Sequence, residues 1–367
     1  MKKLKEIREY IPLPALILIA LALFSVIIHV ISVISTPFAD FFNLKIATAF
    51  RFIFAKITGV LPFSLAEIII ILLPLWIALT VFFIFKLIRS DIKKKIRFLS
   101  SLFAVITVFY STFVLTFATA YRGTPLETKL SLQREKLSAD DIYETLQTVT
   151  AELSALVSTT EYAENGLSVQ PYSFNELNKK LNTAYKKAGE KYAFINTFGS
   201  SVKEILLSEP MTYTHISGVY TYFTGEANVN VNYPDYVIPY TVAHEMAHQR
   251  GIAREDEANF VAFLICLESD DGYIKYSAYF NVFEYLFSAL VRADIERARE
   301  FADFIPTEIR REITAYSEFF EKYSDNVAAD VSDAVNNSYL VSQGQVEGVR
   351  SYGLVTELTV AYYKAQK

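Results

Sequence analysis

The sequence predicts three transmembrane α-helices followed by a mainly helical α+β domain with a small sheet. Three observations predict it. The first 121 residues hold three long apolar runs, the rest of the chain repeats apolar residues at helical spacing in eight segments, and strand-like composition is confined to about 201–231.

The apolar runs cover 11–34, 63–85 and 98–121. Each is long enough to cross a hydrocarbon core of about 30 Å as a helix of ~20 residues. The first and third carry no charged side chain apart from His29, while the second holds Glu67 near one end and Pro74 near its middle. The first run could be read as a signal peptide, but it is long and lacks a convincing small-residue cleavage site, so a retained anchor is expected. Lys2, Lys3, Lys5 and Arg8 precede the first run, and Lys86, Arg89, Lys93, Lys94, Lys95 and Arg97 lie between the second and third. By the positive-inside rule both clusters face the cytoplasm, which places residues 122–367 outside it. Residues 1–121 carry 13 Lys+Arg against 5 Asp+Glu, whereas the remainder carries 22 against 35, a net of −13. An acidic outer domain of this kind argues against nucleic acid as a partner, and the apolar runs make the lipid bilayer one.

Residues 38–61 mix Phe41, Phe42, Phe50, Phe52, Ile53 and Phe54 with Lys45, Arg51 and Lys56. This text fits an amphipathic segment on the outer leaflet or a loop packed on the outer domain, and the residues alone leave both open. His29 and Glu67 fall near the outer helix ends, where interfacial anchoring is the expectation.

In the outer domain, Ser138 with Asp141 and Ser173 with Glu176 are helix-start signals, for helices over about 138–157 and 173–187. Further helices are expected over 239–250, 254–267, 273–301, 306–323, 326–340 and 348–364. Cys266 is the only cysteine, which excludes an intramolecular disulfide and suits a small core residue.

The chemistry concentrates in His244-Glu245-Met246-Ala247-His248. Two histidines four apart share one helix face and converge on one ion, while Glu245, turned by about 100°, faces water. Val242, Ala243, Met246 and Ala247 make that helix a buried one, and burying two imidazoles and a carboxylate without partners is costly. A catalytic zinc site takes three protein ligands. Gly251 supplies a helix stop with positive φ, and a second helix starting near Arg254 carries Glu255 and Asn259 on one side. Glu255 is the expected third ligand and Glu257 its rival, the loser being a solvated carboxylate at a helix N-terminus; Asn259 is expected to support a histidine from behind.

This arrangement resembles the gluzincin metallopeptidases, in which HExxH is followed by a second helix bearing a Glu ligand, here in the form Glu255 to Asn259. The longer string from Phe223 to Val231 and from Ala243 to Phe260 resembles a bacterial family of uncharacterised members, domain of unknown function 3810. That resemblance implies a membrane-anchored zinc peptidase with a zincin-like fold, acting on a peptide or protein substrate at the outer face of a bacterial cytoplasmic membrane. The short spacer between His248 and Glu255 departs from the better-known gluzincins and leaves substrate preference untransferred.

The stretch Ala227, Asn228, Val229 alternates just upstream of the histidine helix, as an edge strand for an extended peptide or as an ordinary sheet strand. His215, Tyr213, Tyr220 and Tyr222 are candidates for an oxyanion donor, and the sequence does not choose among them. The expected reaction is zinc-assisted hydrolysis of a peptide bond, with His244, His248 and Glu255 as ligands and Glu245 as base. A catalytically silent zinc-binding signalling or scaffold protein, and a zinc hydrolase of peptidoglycan stem peptides, are the alternatives.

Overall fold

The computed structural model describes residues 7–324, 326–345 and 354–367; Lys2, Lys3 and Lys5 and the first part of the expected 348–364 helix lie outside them. Helix α1 (Leu13–Ile34) and helix α6 (Ile92–Thr116) are each long and apolar enough to cross a membrane, and they pack against each other. Arg97 reaches the Arg8 carbonyl and Lys93 pairs with Glu9 at 2.6 Å, so basic residues from both helices collect at one end of the bundle.

The expected 63–85 span is two helices, α4 (Leu65–Ile71) and α5 (Leu73–Leu87), bent by 49°. Pro74 has no N–H to offer the preceding turn, and its ring crowds that turn, which accounts for the break. Counted as one broken span, the pair gives three crossings.

Between α1 and α4 the chain forms α2 (Thr36–Phe41), a π-helical stretch Phe42–Ala47 and α3 (Thr48–Thr58). Asn43 and Arg51 are buried and bond the Gly251 and Arg250 carbonyls, as the packed-loop reading expects, while Phe41, Phe52, Ile53 and Ile57 are exposed. Glu67 differs from the expectation of an interfacial anchor. It is buried and accepts the backbone N–H groups of Leu206 and Leu207 at 3.0 and 2.8 Å. Glu226 returns the contact, accepting from Leu65 and Ala66 at the first turn of α4 at 3.0 and 2.9 Å. Orphan N–H groups at a helix start are satisfied by a carboxylate there, which the helix dipole also favours.

The part after the apolar helices begins with α7 (Ala139–Val157), opened by a capping box in which Ser138 and Asp141 bond reciprocally, and α8 (Phe174–Lys191), capped by Ser173. The three strands fall within the expected stretch: β1 (Lys203–Glu204), β2 (Gly218–Thr221) and β3 (Glu226–Val229), in the order β1-β3-β2. Strand β3 pairs parallel with β1 and antiparallel with β2. Behind the sheet lie α9 (Val237–Gln249), α10 (Glu255–Leu267) and α11 (Gly272–Ala293), whose apolar faces form the main core with α7, α8 and α15 (Val355–Lys364).

The expected helix over 273–301 breaks at Asp294, whose extended backbone ends α11. The Asp294 side chain accepts from Arg297 N–H to start α12 (Ile295–Ala302). Helices α13 (Thr307–Glu321) and α14 (Val327–Ser342) follow, as expected. Cys266 is buried in α10, where it packs as a core residue.

Candidate metal centre

Every residue of α9 and nearly all of α10 is buried, so the side chains they carry have no bulk water to solvate them. Helix α9 ends in a Schellman turn: Gly251 N–H donates to His248 O at 2.9 Å and Ile252 N–H to Ala247 O at 3.1 Å, with Gly251 at φ +90°. The positive φ expected at Gly251 is thus present. A side chain there would also strike the Arg51 guanidinium, 2.4 Å from an added Cβ. The turn carries Ile252 O to within 2.8 Å of His248 Nδ1, which donates to it. That bond fixes the tautomer and leaves the Nε2 lone pair free for a ligand.

His244, His248 and Glu255 bring one ligand atom each within 4.8 Å of one another, all three side chains being buried. Glu255 Oε2 lies 3.3 Å from His244 Nε2 and 3.5 Å from His248 Nε2. Glu257 is elsewhere. Its Oε1 accepts from Leu126 N–H at 3.0 Å and from Arg254 at 2.9 Å, and it is buried, so the expectation of a solvated carboxylate is corrected along with its candidacy. Two positions apart on a helix, the two glutamates point about 200° apart.

Asn259 lines the same cavity, but its Nδ2 has no hydrogen-bond partner among the described residues. The Ile252 carbonyl supports His248, while His244 Nδ1 has no hydrogen-bond partner among the described residues. A backbone acceptor has no sequence signature.

Electrostatics follow burial. Desolvation pushes the Glu245 carboxyl up to about 7, against the pull of both histidines. For His248, burial acts to depress the imidazole, and Glu255 beside it overrides this to raise it to about 9. Burial acts to raise Glu255, yet the two imidazoles hold it well below the usual carboxylate range. Glu245 Oε2 is buried without a hydrogen-bond partner among the described residues, while the Tyr220 backbone N–H serves the same carboxylate. Gly218 makes room for it: a Cβ there would lie 2.6 Å from Glu245 Oε1 and 2.8 Å from Thr241. Gly218→Ala is expected to displace Glu245 and cut any hydrolytic activity at least tenfold with metal content unchanged, by metal analysis and turnover of the same sample.

The site opens on a cavity of about 900 Å³. One wall is Phe117, Tyr121, Tyr220, Tyr222 and Tyr339, and the Phe117 ring packs edge-on against His248 with centroids 5.8 Å apart. Another is α11 and α13, with Tyr285, Tyr316 and Glu284, a carboxyl pushed up by burial to about 8. The sequence singled out neither Phe117 nor Glu284 for the site, because each comes from an element far from the histidines in the chain.

Among the oxyanion candidates, His215, Tyr220 and Tyr222 line the cavity, whereas Tyr213 packs edge-to-face with Tyr323. His215 Nε2 is engaged with Tyr323 O at 2.7 Å. The expected substrate strand is corrected. Ala227, Asn228 and Val229 belong to β3, the buried central strand, paired on both sides and without a free edge. The outer strand beside the cavity is β2, and Gly218, Val219 and Tyr220 line it.

The fold and the site define a mostly helical protein with two to three candidate membrane helices and a buried His-His-Glu group able to hold a metal. The family model described as "Protein of unknown function (DUF3810)" matches residues 42–360, and the chain belongs to that family. No curated protein and no solved structure matches the chain significantly.

Proposed function

We propose that this is a membrane-anchored zinc peptidase of the gluzincin type, acting at the outer face of a bacterial cytoplasmic membrane. The observation that carries the reading is the convergence of His244, His248 and Glu255 beside a buried Glu245 oxygen without a partner. Two imidazoles and one carboxylate are the donor set of catalytic zinc, and the His248 tautomer set by Ile252 suits it. A small sheet beside the HExxH helix supports a zincin-like fold.

His244, His248 and Glu255 would hold one Zn²⁺, which when bound supplies Lewis-acid polarisation of a carbonyl and a water acidic enough to attack near neutral pH. Glu245 would serve as the base, taking a proton from water and passing it to the leaving amine. An extended peptide pairs along β2, whose Gly218 and Tyr220 adjoin Glu245. Tyr220 and Tyr222 stay candidates for the oxyanion.

The orientation rests on the basic cluster at one end of α1 and α6, which the positive-inside rule assigns to the cytoplasm. The test is metal analysis of the full chain in detergent. Wild type is expected to hold one zinc per chain, and His244→Ala to lose it. Full occupancy in that variant sinks the ligand set. Assays on protein and on muropeptide substrates separate a general peptidase from a stem-peptide hydrolase.

A further inference from the structure

We propose that the substrate is a peptide held in the membrane by its own apolar anchor and cut within a few residues of the bilayer surface. This rests on the peptidase reading and adds the substrate class. The depth of the site carries it. Helix α6 starts beside Lys93, Lys94, Lys95 and Arg97, and its first apolar residue past them is Phe98. A helix needs ~20 residues to cross the hydrocarbon, and counting from Phe98 brings that crossing to its far boundary at about Phe117. Phe117 is the residue that packs against His248. The metal ligands therefore lie one side chain away from the end of a membrane span.

A second contact points the same way. The turn between β2 and β3 carries Tyr222 and Phe223, which pack on Phe113 and Phe109 of α6 at centroid distances of 5.1 and 5.3 Å. Phe109 precedes Phe117 by two helical turns, about 12 Å along the axis at 1.5 Å per residue. The tip of the hairpin reaches that far below the level of the site. Strand β2 thus runs from the membrane, at Thr221, to Gly218 beside Glu245.

Four residues of strand cover roughly 13 Å. A peptide that passes from lipid onto the protein next to Phe223, below the boundary at Phe117, and pairs along β2 meets Glu245 after about four to six residues. The surroundings suit this placement. Ile53, Ile57 and Val60 are exposed on the segment before α4, and Val331 and Val335, also exposed, line the cavity. Exposed Val331 and Val335 at the cavity, with further exposed apolar side chains on the segment before α4, fit contact with lipid outside the spans themselves.

The test uses the full chain in liposomes with two peptide libraries of the same randomised decapeptide, one fused to a transmembrane anchor and one free. The anchored library is expected to be cut at least tenfold faster, with mass spectrometry placing the cut four to six residues from the anchor. Moving a cut sequence five residues outward should abolish its cleavage. Equal cleavage of both libraries overturns the inference and leaves the peptidase reading standing, whereas cleavage of neither overturns that reading and the inference with it. A readout free of turnover is Phe223→Trp in a Trp76→Phe background. Lipids brominated on their acyl chains should quench its fluorescence, and quenching no greater than with water-soluble bromide overturns the placement.

Discussion

Replacing Glu245 with Gln is expected to lower peptide turnover by about 10²- to 10⁴-fold, the usual contribution of a general base. Zinc content should stay at one per chain. The two outcomes separate because Glu245 lies outside the set His244, His248 and Glu255, whose ligand atoms lie within 4.8 Å of one another. The amide keeps the shape that fits beside Gly218 but no longer takes a proton from water. Parallel stopped assays and metal analysis on one preparation check both halves. A Glu245→Gln protein that cleaves at the wild-type rate removes Glu245 from the mechanism, and one that loses its zinc shows that the carboxylate sits among the ligands.

The second large effect is expected at Arg51, far from the histidines in sequence. Arg51 is fully buried, and no carboxylate lies within ion-pair distance of it among the described residues. Its guanidinium donates to Thr116 O at 2.6 Å, to Asn43 O at 2.9 Å and Asn43 Oδ1 at 2.8 Å, to Thr48 Oγ1 at 2.9 Å and to Arg250 O at 3.4 Å. Thr116 closes α6 and Arg250 caps α9, so two helix C-termini, each with about half a negative charge, offset the buried cation. Burial lowers its pKa only to about 10, which leaves it charged at neutral pH.

Arg51→Met removes every one of these donors and strands several buried acceptors, each at about 1–3 kcal/mol. A loss of about 3–4 kcal/mol is expected after partial relaxation. Because Arg51 packs against Gly251, and Asn43 donates to Gly251 O at 2.9 Å, the turn that presents Ile252 O to His248 loosens as well. Loss of such an orienting partner typically costs 10- to 100-fold in metal affinity. Thermal unfolding in detergent and a zinc competition titration measure the two effects. An Arg51→Met protein with wild-type Tm and zinc affinity makes residues 36–58 a bystander to the site.

Much of the site is legible in the chain because it is local. The helix geometry between His244 and His248, the stop at Gly251 and the restart near Glu255 all follow from short-range rules of helical spacing, positive φ and propensity. The span positions follow from composition in the same way. What sequence reading gets wrong is non-local. Pro74 marks the middle of an apolar run without giving the 49° bend, and Asp294 breaks a helix that apolar spacing alone carries through. Arg51 reads as one of three scattered cations, since nothing near it announces the two helix ends it joins.

The sequence by itself determined that this chain carries apolar spans, that it holds two histidines and a glutamate at metal-ligand spacing, and that a small sheet precedes them. Only the tertiary structure decided that Glu255 rather than Glu257 meets the histidines, that β2 rather than β3 is the outer strand beside the cavity, and that Phe117 brings the end of a long apolar helix against His248. The physical reason is the range of the interactions. Spacing along one helix is set by its own backbone, whereas strand order and the choice between two neighbouring carboxylates depend on which distant segments pack together.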